Sequence, residues 1–436
     1  MKKTVVKAIA LKRQVDFISN VELMETEEIY IKKRLRKAAL QSIFFYAFRL
    51  FPINKRKIVF CNIEGTVGYG CNPKYICEEF RRRNKSLTGK DRKRYDLVWL
   101  VDDVTKPFPK DVRVVRNTLT KRAFELTTAG TWVDNSRKQL ECRKRKGQFY
   151  IQTFHANLMI KPIGLLRGSS FSRIAYLVSR HDSELADLVL TDSKWYEDRV
   201  RQGLVYEGEM LRSGSPRDDI LVNGDHRELR KTIREKYNIS GEARIMMYAP
   251  TFRSGSQSIN RQIEKSSQMP DFDKLGSALK KRFGGEWFFF LRLHPQLTAR
   301  NIGAGDQKNP KVIDVSKEDD MFETLAACDA FLSDYSASSF DASFMKIPVF
   351  LYVYDLDDYI DERGSLQWDL NDLPFPHART EDELEQIIEE FDEDKYRKRL
   401  DNLYKEIDLK EDGKASIRVA DIIEERMGIH VGTVYH

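Results

Sequence analysis

Two consecutive series of short β-rich runs, each run separated from the next by a stretch of helical composition, constrain this chain more than any other feature. The first series is Ile58 to Asn62, Asp96 to Val101, Val112 to Arg116, Thr131 to Asp134, Tyr150 to Thr153 and Leu188 to Thr191. The second is Ile245 to Tyr248, Trp287 to Leu293, Lys311 to Val315, Ala330 to Leu332 and Val349 to Tyr354. Strand and helix in alternation specify a parallel sheet with helices on both faces. Two series predict an α/β protein of two doubly wound domains, and 436 residues are too many for one ordinary core. A Gly-Ser-Pro turn at Gly214 and the charged run His226 to Tyr237 place the boundary between Gly214 and Ser240. The expected division is a basic segment over 1–56, a first domain over 57–225, a second over 226–410 and a helical tail over 411–436.

Several function classes are excluded. Gly65-Thr-Val-Gly68-Tyr-Gly70 follows a strand but lacks the G-x-G-x-x-G spacing, and no G-x-x-x-x-G-K-[ST] occurs, which argues against a dehydrogenase or a P-loop enzyme. The five cysteines have no C-x-x-C spacing, so neither a disulfide framework nor a zinc site is indicated, and a reducing, cytoplasmic setting fits. No metal and no cofactor are expected.

The net charge of +7 is concentrated at the N-terminus, where residues 1–57 hold 14 Lys+Arg against 5 Asp+Glu. The remainder is slightly acidic, so a nucleic-acid partner is not expected. Basic residues from Lys32 to Lys37 lead into a run with Leu35, Ala39, Ile43, Ala47 and Leu50 at helical spacing. It falls well short of the roughly 20 apolar residues that span a bilayer. Its expected place is on an anionic membrane surface, with packing against the protein's own core as the alternative.

In open parallel sheets, ligands bind beyond the carboxyl ends of the strands. Those positions carry His155, His294, Thr251, Arg253 and Arg292. They also carry the turn Ser333-Asp-Tyr-Ser-Ala-Ser-Ser339, which leads from a strand into a helix. Hydroxyls and N–H groups at a helix start suit phosphate. Asp334, Ser336, Ser338 and Ser339 are therefore candidate phosphate-binding residues, although the same groups also serve as plain helix caps.

Six stretches taken in order resemble one family. They are Asn72-Pro-Lys-Tyr75, Gln152-Thr-Phe-His155 with Lys161 and Gly164, Gly214-Ser-Pro-Arg-Asp218, Tyr248-Ala-Pro-Thr-Phe-Arg253, Arg292-Leu-His-Pro295, and Ser333-Asp-Tyr-Ser336 with Phe340-Asp341. Together they are similar to the motifs of the CDP-glycerol glycerophosphotransferases of teichoic acid and capsule synthesis. The resemblance implies a GT-B fold, two Rossmann-like domains facing a cleft. It also implies transfer of glycerol phosphate or ribitol phosphate from CDP-glycerol or CDP-ribitol to a polyprenyl-diphosphate-linked saccharide, with release of CMP. By motif position His155 falls at the family's general base and His294 at its second essential histidine. Thr251, Arg253, Arg292, Asp334, Ser336, Ser338 and Ser339 fall in the donor loops, and Asn72, Lys74, Lys161 and Arg217 on the acceptor side or in the cleft. Such an enzyme is expected at the cytoplasmic face of the membrane, and oligomers are compatible with it. The sequence departs from the pattern at Ala156, beside the expected base, and at Ala337, where the family's second serine stands. A sugar-nucleotide glycosyltransferase on the same fold, and a non-catalytic nucleotide-binding module, are the rival readings.

Overall fold

The computed structural model describes residues 26–87, 94–251, 269–293 and 309–429. Two parallel sheets organise them. The first has seven strands, β1 (Asn54–Cys61), β2 (Asp96–Val101), β3 (Arg113–Arg116), β4 (Ala129–Asp134), β5 (Phe149–Gln152), β6 (Leu188–Thr191) and β7 (Glu209–Arg212), in the order β3-β2-β1-β4-β5-β6-β7. The second has β8 (Arg244–Tyr248), β9 (Trp287–Leu291), β10 (Val312–Asp314), β11 (Ala330–Ser333), β12 (Val349–Tyr352) and β13 (His377–Ala378), in the order β10-β9-β8-β11-β12-β13. Every pairing is parallel. Strands covered on both faces read as continuous apolar runs, which is why β2, β4 and β11 are legible in the sequence. The edge strands β7 and β13 are not: Glu-Met-Leu-Arg is largely polar and His-Ala is two residues long.

The chain passes between the domains twice. Leu221, just beyond β7, already belongs to the second core. After the helices Glu381–Glu389 and Glu393–Glu406 on that domain, the helix Ala415–Arg426 returns to the first, where Val419, Ala420 and Ile423 pack with Ile76 and Phe80. Asp219 fixes this return by accepting the N–H groups of Ala415 (2.8 Å) and Ser416 (2.7 Å), the first turn of that helix.

The basic segment is helical over 26–41, then over Ile43–Ala47, and ends in a 3-10 turn at Phe48–Leu50. Ile31, Ala38, Ser42 and Phe45 form its buried stripe, with Phe45 entering the core beside Trp132 and Leu126. The stripe picked out by sequence lies elsewhere on the helix. Leu35, Ala39, Ile43, Ala47 and Leu50 are all exposed, Leu50 at 90%. No helix among the described residues is long and apolar enough to cross a membrane.

Candidate functional site

The site is built from loops at the carboxyl ends of both sheets. Beyond β5, Phe154 adopts a left-handed backbone (φ 48°) and turns the chain so that His155 is exposed at the cleft. The His155 ring is oriented by one contact, Nδ1 to the Asn135 carbonyl at 3.0 Å. A carbonyl only accepts, so Nδ1 carries the proton and Nε2 keeps its lone pair. Asn135 stands beyond β4 and is itself fixed, receiving the Ile63 N–H and donating to Asn62. The protein packed around His155 lowers its pKa, and the cations Arg217, Lys161 and Arg137 act in the same direction, against the Asn135 contact.

Both domains clamp the His155 loop. Asn72 donates to the carbonyls of Thr153 (3.3 Å) and Phe154 (2.9 Å) and accepts the Arg217 N–H (3.0 Å). The Arg217 guanidinium donates to the His155 carbonyl and forms a forked pair with Asp341 of the second domain, at 2.7 and 3.0 Å. Just downstream, Leu158 and Ile160 sit in the second core, and Gln367 and Trp368 donate to the carbonyls of Ile160 and Met159. Trp195 of the first domain stacks on Trp368 at 4.7 Å.

Arg217 lies among more acids than it can balance. Asp192, Asp218 and Asp341, all buried, and the half-buried Glu411 converge on the chain crossing. Burial pushes each carboxyl up, Asp192 to about 7, and mutual repulsion pushes Asp218 and Glu411 further. The Arg217 guanidinium opposes that upward push on Asp192, Asp218 and Asp341.

Opposite the His155 loop is the turn beyond β11. The Asp334 carboxylate is buried and receives the Thr251 N–H (2.9 and 3.1 Å) and hydroxyl, so it braces the loop beyond β8. Ser336 accepts the Ser338 N–H (3.3 Å) at the start of the short helix Ser338–Ser343. Ser336 and Ser338 are half-buried at the cleft, whereas Ser339 is fully buried, its hydroxyl without a partner among the described residues. Arg292 donates to the carbonyls of Val315 (2.8 Å) and Glu318 (2.5 Å) and so shapes the loop that follows β10. Arg253 and His294 lie outside the described residues.

That loop fastens the domains together. Lys74 pairs with Asp320 (2.5 Å) and Glu323 (2.6 Å), Tyr75 donates to Asp320 (2.8 Å), and Lys106 and the Gly68 N–H meet Asp319. A Cβ on Gly70 would stand 2.6 Å from the Asp319 carbonyl, and one on Gly68 would meet the Asp319 carboxylate, so these two glycines serve close domain approach. Asn72, Lys74 and Arg217, expected from sequence on the acceptor side or in the cleft, are 1%, 6% and 4% exposed and brace the loops around it. Lys161 is half-buried close to His155. The departures Ala156 and Ala337 pack on one cluster with Met159 and Tyr196, where the two facing loops meet. Among the described residues no group of three or more His, Cys, Asp or Glu is arranged to hold a metal ion.

Two parallel doubly wound sheets, with His155, Thr251, Asp334 and Ser336 held between their carboxyl ends, define a GT-B type architecture. The chain belongs to the CDP-glycerol:poly(glycerophosphate) glycerophosphotransferase family, whose model matches residues 42–425. It is 26% identical to the teichoic acid poly(glycerol phosphate) polymerase of Bacillus spizizenii, over 92% of this chain and 99% of that one. It is also 26% identical to the teichoic acid glycerol-phosphate transferase of Staphylococcus aureus, over 90% and 99%. Two further curated polymerases are about twice as long, the match covering 48% and 53% of them. The solved wall teichoic acid polymerase TagF shares the fold, with a TM-score of 0.73 at 24% identity over 93% of this chain and 97% of that one.

Proposed function

We propose that the protein transfers glycerol phosphate, or ribitol phosphate, from its CDP-activated form to a hydroxyl of a lipid-linked saccharide or polyol phosphate, releasing CMP, in teichoic acid or related surface-polymer synthesis. Family membership supports the reaction class. The observation that carries the mechanism is the His155–Asn135 contact, which keeps Nε2 unprotonated at the cleft. There it takes the proton of the acceptor hydroxyl as that oxygen attacks the polyol-bearing phosphorus in line, a contribution of about 10²–10⁴ in rate. The protein packed around the ring and the cations that lower its pKa keep the base form available at neutral pH. Charge on the diphosphate falls to His294 and Arg253 and to the N–H groups and hydroxyls of the turn at Ser336 and Ser338. Lys161, beside His155, adds positive charge on the acceptor side. The division into a basic segment over 1–56, an acceptor domain to about 225, a donor domain to about 410 and a helix returning to the first domain is part of this proposal.

The N-terminal helix seats the protein on an anionic membrane at the cytoplasmic face. Its support is the double-sided burial: one stripe anchors the helix through Phe45, and the other presents Leu35, Ile43 and Leu50 outward beside basic residues. Purified protein tests the reaction directly. CMP release from CDP-glycerol or CDP-ribitol that depends on a lipid-linked acceptor supports it; turnover of a sugar nucleotide with neither CDP-polyol used would replace it.

A further inference from the structure

A groove of about 540 Å³ opens at the outer edge of the first sheet, away from the cleft. Its walls are Phe48 from the N-terminal segment, Val104 beyond β2, Val114 and Val115 on β3, and Phe124 on the helix Leu119–Thr128. Phe48 and Phe51 meet Phe124 edge-on at 5.4 and 5.5 Å, so the aromatic wall is built by the same segment that presents Ile43 and Leu50 to solvent. The size and the apolar lining are those of a small-molecule site.

The rim is positive. Arg116 and Lys121 are exposed and border the groove, and neither side chain makes an ion pair or hydrogen bond with another described residue. The acid at the groove, Glu125, is neutralised by Lys57 and by Arg113 at 2.6 Å. An apolar trough edged by Lys121 and by Arg116, the latter also in the field of Asp103, complements a long apolar chain ending in phosphate.

The groove shares a face with the proposed base. Arg116 ends β3 and His155 follows β5, both at the carboxyl edge of one sheet and four strand spacings apart, ~20 Å. The ridge between them is fixed by hydrogen bonds, Asn117 to the Glu64 carbonyl (2.7 Å), Glu64 N–H to Ser136 (2.8 Å) and Ile63 N–H to Asn135 (2.8 Å). Gly65 permits this, since a Cβ there would lie 2.5 Å from the Asn117 amide.

We infer that this groove holds the phosphate-proximal part of the acceptor's isoprenoid chain, with the lipid phosphate on Arg116 and Lys121 and the saccharide running along the ridge to His155. The inference rests on the transferase reading above and adds the seat of the lipid. The test uses the full-length protein on phosphatidylcholine vesicles carrying a polyprenyl phosphate with a photoactivatable group near its phosphate. Labelled peptides are expected to contain Phe48 and residues 104–124. Labelling there is expected to fall about tenfold or more in Thr120→Trp, which fills the trough from an exposed position, and in Arg116→Glu/Lys121→Glu, which reverses the rim. Circular dichroism and thermal unfolding of each variant identify any that is simply misfolded. Labelling that stays unchanged in both folded variants, that is confined to residues 26–47, or that is matched by a phosphatidylglycerol probe carrying the group on its acyl chain overturns the inference. CMP release by the unsubstituted protein on a soluble acceptor analogue separates failure of the groove from failure of the transferase reading.

Discussion

Replacing Arg217 with Leu removes the one cation that both holds the His155 carbonyl and faces Asp341 across the domain junction. Removing one partner of a buried pair costs about 3–5 kcal/mol, because the charge left behind is uncompensated. Here the residue of charge is acidic, and four carboxyls already pushed up by burial are left facing one another. The loss should appear locally, as faster amide exchange over residues 153–157 and 214–218. A cost of 3–5 kcal/mol corresponds to about 10²–10⁴-fold relative to the wild type at the same pH. The defect should be largest at pH 8 and shrink at pH 6, where the orphaned carboxyls bind protons in place of the guanidinium. Polyol-phosphate transfer should slow in parallel, since the carbonyl that positions His155 is released. Wild-type protection at pH 8, or a defect of equal size at both pH values, would refute the reasoning.

The His155→Ala variant is expected to lose transfer while calorimetry still detects donor binding; lost donor affinity would recast His155 as a binding residue. In the wild type, kcat/KM should fall on the acid side with a midpoint below the ordinary histidine value of 6.5, because the protein packed around the ring and the neighbouring cations lower the His155 pKa. Asp192, with a folded pKa of about 7 against 3.8 unfolded, binds more protons when folded across that window, so stability falls as pH rises from about 4 to 7. The full cost is about 4 kcal/mol above pH 7, and Asp192→Asn should flatten the decline seen in thermal unfolding at pH 5 to 8. Lys74→Met breaks the contacts to Asp320 and Glu323 and should enlarge the radius of gyration in small-angle scattering and raise the donor KM; an unchanged radius would show that the remaining contacts suffice.

The strands that sequence bounds most sharply are those covered on both faces, where apolar residues run without interruption: β2 and β6 have the very limits their composition suggests, while the edge strands β3 and β10 are found by their β-branched residues with looser limits. The edge strands β7 and β13 escape because the first is flanked by charged residues and the second is only two residues long. The loops carrying His155, Thr251 and Asp334 were legible because they follow such strands, but the division of labour inside them was not. Asp334 reads as a phosphate-turn residue and its carboxylate braces Thr251, and Arg217 reads as a cleft residue and its guanidinium bridges to Asp341; neither contact is legible in the sequence because each partner lies more than 80 positions away. The signal for the second pair was present, since Arg217 and Asp341 each sit in one of the six motif stretches. The glycines of 65–70 look like a failed nucleotide fingerprint until Asp319 is seen against Gly68 and Gly70. The N-terminal helix shows how periodicity fixes a helix without fixing its inward face: Phe45, the residue that anchors it, stands off the stripe that the spacing picks out.

The most direct test is CMP release by the full-length protein from CDP-glycerol and from CDP-ribitol, each with and without a polyprenyl-diphosphate-linked saccharide in vesicles, beside the His155→Ala variant. Acceptor-dependent CMP from one donor, abolished in the variant, is the expected result. No CMP from either donor, or acceptor-dependent CMP at an unchanged rate in the variant, would contradict the assignment of His155 as the base of a polyol-phosphate transferase.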